Sequence, residues 1–181
     1  TTGDYNVAVG SVALDALLST NNNVAIGFSA MGLSTVGTEC TFVGANAGAD
    51  GVITAAAAGS VGIGSQALLN LTSGAGNIAI GYQAMSAQTD GLRNLAIGYQ
   101  AMDAMDSGED DNIAIGYAAM GAANNASTVQ NVVIGNYALD AVTTTKIDGM
   151  VVIGHNAGTN IQSGDNQVIV GQDAGDTLTT G

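Results

Sequence analysis

The chain has no proline, no tryptophan, one cysteine and two basic residues among its 181. With Cys40 alone, no intrachain disulfide framework exists. Arg93 and Lys146 face fifteen acids, for a net charge of -13. Binding nucleic acid needs clustered Lys and Arg to neutralise phosphates, so DNA and RNA are excluded as partners. Anionic membrane surfaces are excluded on the same ground. No run of 18 or more apolar residues is present, so no transmembrane helix and no membrane insertion of this segment is expected. A basic-then-apolar secretion signal is lacking too. Only 9% of residues are charged, yet 46% are hydrophobic, which is not the profile of a disordered chain. Much of that apolar content is alanine, and a core built from it must be thin, with backbones close together.

What is there is a repeat. Its clearest copies are Asn77-Ile78-Ala79-Ile80-Gly81-Tyr82-Gln83-Ala84-Met85 and Asn94-Leu95-Ala96-Ile97-Gly98-Tyr99-Gln100-Ala101-Met102. Ten copies fill residues 1–181 as one repeat domain, centred on Gly10, Gly27, Gly44, Gly64, Gly81, Gly98, Gly116, Gly135, Gly154 and Gly171, at spacings of 17–20. The residue before each glycine is Val or Ile in every copy, including Ile26, Ile80, Ile97, Ile115, Ile134 and Ile153. Two positions earlier the residue is again large and apolar, Thr41 excepted, and a mostly small residue lies between. Three residues after the glycine stands Ala in all ten copies, followed by Leu or Met in seven and by Gly48, Gly158 and Gly175 in the others.

Large residues two apart, flanking a small one, carry the period of a β-strand, and β-branched side chains fit a pleated surface. The columns therefore predict a strand of about four residues per copy, ended by a glycine that needs positive φ or allows close backbone approach. The invariant Ala reads as a second tight position. A short helix or a second strand after Gly-x-x-Ala stays open. So small a unit buries its apolar face only by stacking on its neighbours, which makes the fold class all-β, a parallel β-roll or solenoid of about ten coils. Stacking places like over like. Ile and Val are expected to point inward. Asn6, Asn23, Asn77, Asn94, Asn112 and Asn131 are expected to form an amide ladder. Tyr82, Tyr99 and Tyr117 share a column, with Phe28 earlier in it, and are expected to stack. Cys40 stands in the Asn column and reads as a small buried filler. The intervals, such as Ser73–Gly76, Asp106–Asp111 and Thr143–Thr145, are polar, vary in length and read as surface turns. A thin coil of this kind gains from packing against copies of itself.

At the level of these columns the chain resembles the head repeats of trimeric autotransporter adhesins (YadA-like heads), and similar repeats occur in phage tail fibres. The resemblance rests on Asn23-Val24-Ala25-Ile26-Gly27-Phe28-Ser29-Ala30 and its equivalents in every copy. It implies a left-handed parallel β-roll, three chains associating in parallel as a homotrimeric rod, and an extracellular place on a bacterial surface or a virion. It also implies a receptor, glycan or protein, on a host surface or matrix. The repeat of 17–20 residues exceeds the fourteen or so of the adhesin heads, and the extra length lies in the interval after Ala-Leu/Met. The chain starts without Met and stops in mid-pattern at Thr179-Thr180-Gly181, which reads as an excerpt of a longer fibre.

Chemistry-bearing residues are sparse. Asp106, Glu109, Asp110 and Asp111 offer oxygen ligands for Ca²⁺ but lack both the EF-hand spacing and the nonapeptide of calcium-binding β-helices, so they read as a solvated loop. His155 has no second His or Cys to share a metal with and reads as exposed. Apart from Asp15, Asp103, Asp140 and Asp176, the acids recur in no column. No catalytic residue, cofactor site or metal site is assigned. The reading is a non-catalytic structural or adhesive fibre segment. A polysaccharide-degrading tailspike comes second, because it needs two carboxylates in a cleft. An ice-binding solenoid comes last, because Thr fills no column.

Overall fold

A computed structural model describes residues 3–123, 128–141, 147–161 and 164–176. Lys146, the Thr143–Thr145 interval and the Thr179–Gly181 end lie outside these described residues.

Each repeat contributes one strand, and the strand is three residues long rather than four. The strands are β1 (Val7–Val9), β2 (Val24–Ile26), β3 (Thr41–Val43), β4 (Val61–Ile63), β5 (Ile78–Ile80), β6 (Leu95–Ile97), β7 (Ile113–Ile115), β8 (Val132–Ile134), β9 (Val151–Ile153) and β10 (Val168–Val170). They form one ten-stranded sheet in sequence order, every pair parallel. The register matches the sequence columns: Ile78 lies beside Leu95, Ala79 beside Ala96 and Ile80 beside Ile97. The chain is a β-solenoid, with the ten strands bounding nine turns.

The column expected to face inward faces out. In the central strands the burial alternates with the middle residue inside, so Ala25, Ala79, Ala96 and Ala114 are fully buried. The flanking Ile26, Ile80, Ile134 and Ile153 are exposed, and Ile97 and Ile115 are half-buried. These residues do form a ladder, but on the outer face of the sheet. The reason is space: the interior also receives the invariant Ala column and the Leu/Met column, and it is too narrow for two Ile columns besides. Ala30, Met31, Ala84, Met85, Ala101 and Met102 are all fully buried.

The segment after each anchor glycine is neither helix nor strand. It is a run of turns in which the second and fourth residues after the glycine are left-handed. Gln83 and Met85 have φ of 54° and 51°, and Gln100 and Met102 have 53° and 55°. The same two positions are left-handed in the other copies, which is why the Leu/Met column accepts Gly48, Gly158 and Gly175. Such residues cost roughly 1–2 kcal/mol each, and here hydrogen bonds between successive coils hold them. Met85 N–H donates to Ala101 O at 3.0 Å and Gln83 N–H to Ser65 O at 3.0 Å, one bond to the following coil and one to the preceding coil.

The interior is volume-matched in three of the coils, while Val133 and Leu139 are buried together in another. Where the middle strand residue is large, the fourth residue after the anchor glycine is often glycine: Phe42 with Gly48, Val152 with Gly158, Ile169 with Gly175. A Cβ on Gly48 would come within 2.8 Å of the Phe42 ring, and one on Gly62, in the next strand, within 2.6 Å. Close packing of this kind leaves no room for an added methyl group.

The Asn ladder is present and does more than stack amides. Asn94 Oδ1 accepts the Asn112 backbone N–H at 3.0 Å, while Asn94 Nδ2 donates to Glu109 O at 2.6 Å. Asn77 and Asn131 repeat this pattern, and amide-to-amide bonds join Asn112 to Asn94 and Asn131 to Asn112. Each Asn thus satisfies two buried backbone groups that the turn leaves without partners. Ser60 fills the column with its hydroxyl, donating to Gly74 O. Cys40 fills it as a buried thiol bonded to Thr38 O at 3.3 Å, with burial pushing its pKa up.

Two outcomes follow. Gly98 has φ +145°, and a Cβ there would meet Gly116 O at 2.1 Å. Gly98→Ala should cost ~3 kcal/mol or more in urea unfolding, whereas Gly59→Ala, with positive φ but open space around it, should cost ~1 kcal/mol. Asn94→Ala strands the Asn112 N–H and the Glu109 carbonyl and should cost ~2–4 kcal/mol in the same measurement.

Candidate functional site

The outer surface carries three side-chain columns beyond the Ile/Val face. The first is aromatic. Tyr82 stacks on Tyr99 with centroids 5.0 Å apart, and Tyr99 on Tyr117 at 5.2 Å, close to the spacing of the strands that precede them. Phe28 shares the column but is exposed and separated from the stack by Ala45 and Ser65. The second is an amide column one residue on, in which Gln83 Nε2 donates to Gln66 Oε1 and Gln100 Nε2 to Gln83 Oε1. The third is acidic, five residues after the anchor glycine: Asp103, Asp140 and Asp176 on alternate coils, with Gly121 and Thr159 between them.

The stack changes character at Tyr137. The sequence shifts this tyrosine one residue along, into the amide column, because Asn136 takes the aromatic position and accepts the Tyr117 N–H at 2.9 Å. Tyr137 meets Tyr117 at 64° and His155 at 85°, instead of lying parallel. Its hydroxyl is hydrogen-bonded to that of Tyr117, which raises the Tyr117 pKa. His155 is exposed, as expected. At this point Tyr137 lines an open cavity of about 320 Å³ together with Asp140, Asn156, Thr159 and Asp176. The sequence held a signal for this cleft, the one-residue shift of Tyr137 beside two members of the Asp column. A reading by columns passes over a residue that leaves its column.

The carboxylates here are partly desolvated. Burial raises the pKa of Asp140; burial, then the nearby Asp140 charge, raises that of Asp103. Both lean into the space over Gly121, where a Cβ would stand 2.6 Å from Asp140 Oδ1 and 3.2 Å from Asp103 Oδ1.

The acidic run of the sixth interval does not converge. Asp111 pairs with Arg93 (2.6 Å), the one ion pair among the described residues, and this holds the Asp111 carboxyl below its usual range. Asp110 accepts the Leu92 N–H, and Asp106 is exposed. Among the described residues no three His, Cys, Asp or Glu side chains gather as a metal site. Glu109 departs most from the expected solvated loop. It is fully buried, neither carboxyl oxygen has a hydrogen-bond partner, and Gln88 and Thr128 on the adjacent coils are buried with orphaned side-chain atoms as well. Gln88 occupies the space over Gly91, where a Cβ would lie 2.3 Å from its Nε2. Burial, with the charges of Asp106 and Asp90 adding to it, raises the Glu109 pKa to about 7.

No known family model, curated protein or solved structure matches the chain.

The raised Glu109 pKa favours the folded state when the group is protonated. Its stabilising effect is complete below the ordinary value of 4.5 and is lost as pH rises through about 7. Glu109→Gln should therefore match the parent near pH 4.5 and exceed it by ~2 kcal/mol at pH 8, measured by urea unfolding across that range.

Proposed function

We propose that the chain is a non-catalytic segment of an extracellular fibre, a bacterial adhesin head or phage tail fibre, that assembles with parallel copies of itself and presents its outward loops and columns to a receptor. The observation that carries this reading is the outer face of the sheet. Twenty positions on ten strands form two continuous columns there, all Val, Ile or Leu except Thr41, and none charged. Val7, Val9, Val168 and Val170 are the most open of them. At ~4.8 Å per strand the strip is about 43 Å long, and a contiguous apolar strip on a soluble chain marks an interaction surface. A copy of the same chain is the matched occupant, because it carries the same side chains at the same spacing. Fifteen acids lie off these columns, where they keep the assembled rod soluble and oppose lateral aggregation. A stoichiometry of three, like the bacterial or viral setting, comes from the resemblance to adhesin heads.

Glycan cleavage is the second reading, favoured by the presence of Asp140 and Asp176 in one cleft. They lie two coils apart, roughly 9.6 Å along the stack, at the outer limit of the ~5–9.5 Å used in glycoside hydrolysis. Asp176 is also held by Asn160 Nδ2 at 2.7 Å. A binding role suits this arrangement better.

Light scattering of the purified chain is expected to give three times its 17.7 kDa mass. Ile80→Asp with Ile134→Asp, both outward, should give monomers with an unchanged circular dichroism spectrum. A strict monomer for the parent chain would remove the assembly proposal.

A further inference from the structure

We infer that the cleft bounded by Tyr137, Asp140, Asn156, Thr159 and Asp176 is a saccharide-binding subsite, selective for neutral sugars over acidic ones. It deepens the receptor-binding part of the proposed function and is independent of the assembly part.

The first argument is geometric. Tyr99, stacked on Tyr82 at 5.0 Å and on Tyr117 at 5.2 Å, is covered on both faces and offers only its edge to a ligand. Tyr137 is tilted out of that parallel stack, in edge-type contact with Tyr117 and His155, and is the tyrosine that borders the cavity. Sugar rings present apolar C–H faces as well as hydroxyls, and an aromatic ring beside hydrogen-bonding groups meets both. The cavity, at about 320 Å³, lies at the small end of the ~300–1,000 Å³ range of ligand sites. That suits one or two pyranose rings.

The second argument is a count of donors and acceptors. Thr159 Oγ1 lies 2.7 Å from Asn156 O and 3.3 Å from Tyr137 O, so its one proton is committed to these carbonyls and the hydroxyl is left to accept. Asp176 has Oδ1 bonded to Asn160 and keeps Oδ2. Asp140 adds a partly desolvated carboxylate. Two carboxylates and the Thr159 hydroxyl accept, against the Asn156 amide as a donor, and a ligand rich in O–H donors complements this balance. Uronic and sialic acids do not, because each would bring a carboxylate to Asp140 and Asp176. A lysine side chain would also satisfy carboxylates, but it uses neither the width of the cleft nor the mixed polar and apolar wall.

Saturation-transfer NMR on the purified protein tests this with cellobiose, lactose and diacetylchitobiose as neutral probes. Digalacturonate and trilysine serve as charged comparators. At least one neutral disaccharide should bind in the millimolar range and digalacturonate at least tenfold more weakly. Tyr137→Leu, which keeps bulk but removes the ring, and Asp140→Ala should each weaken binding tenfold or more, while Tyr82→Ala leaves it within twofold. An unchanged circular dichroism spectrum and an unchanged mass for each variant separate loss of the subsite from loss of fold or assembly. The inference is overturned if no neutral probe binds at 10 mM, if Tyr137→Leu binds as the parent does, or if digalacturonate or trilysine binds more tightly than every disaccharide. Release of new reducing ends from the disaccharides would overturn a binding-only role.

Discussion

The stacking distance between coils governs this molecule. At the anchor glycine column each backbone passes so close over the next that a methyl group would stand 2.1–2.5 Å from the carbonyl of the following coil in nine of the ten copies. Glycine there meets two demands at once, a φ of +131° to +145° and an absent side chain. Once the coils are held at that distance, every other column inherits it. Tyrosines meet at ring-stacking separation, Gln amides reach each other, and each Asn side chain spans to a backbone group of the coil above. The ladders are consequences of the coil spacing and then reinforce it.

The narrow interior follows from the same closeness. A coil this small has room for a middle strand residue, an alanine and one longer side chain. Phe42 is accommodated because Gly48 and Gly62 vacate the space around it. The two flanking strand columns, mostly β-branched, are displaced to the outside, where they would be a liability for a monomer. The strongest apolar signal of the sequence thus lies on the surface rather than in the core.

Glu109 and Tyr137 depart from the repeat in opposite directions. One is an acid carried into the interior, where its charged form is disfavoured. The other is an aromatic residue turned out of a regular stack at the border of a cleft. Neither serves the repeat, which is built from identical contacts, and each changes chemistry at one place along a rod that is otherwise uniform. The strict columns supply the scaffold, and individuality along the rod enters where a residue breaks its column.

Several things were determined by the sequence alone: the number of repeats, the strand in each, the parallel register, the Asn ladder, the Tyr82–Tyr99–Tyr117 stack and the burial of Cys40. All of these depend on like residues meeting at a fixed interval, and periodicity records that directly. Which face of the strand turns inward was not determined, because Ile-Ala-Ile has the same period seen from either side. Only the closed coil, with its Ala and Leu/Met columns already filling the interior, decides that Ala79 goes in and Ile80 goes out. The left-handed turns after Gly81 escaped for a related reason: Gln83 and Met85 are not residues that favour positive φ, and bonds from neighbouring coils impose it. The cleft at Tyr137 joins residues up to 39 positions apart on three coils, so it exists only once those coils are stacked.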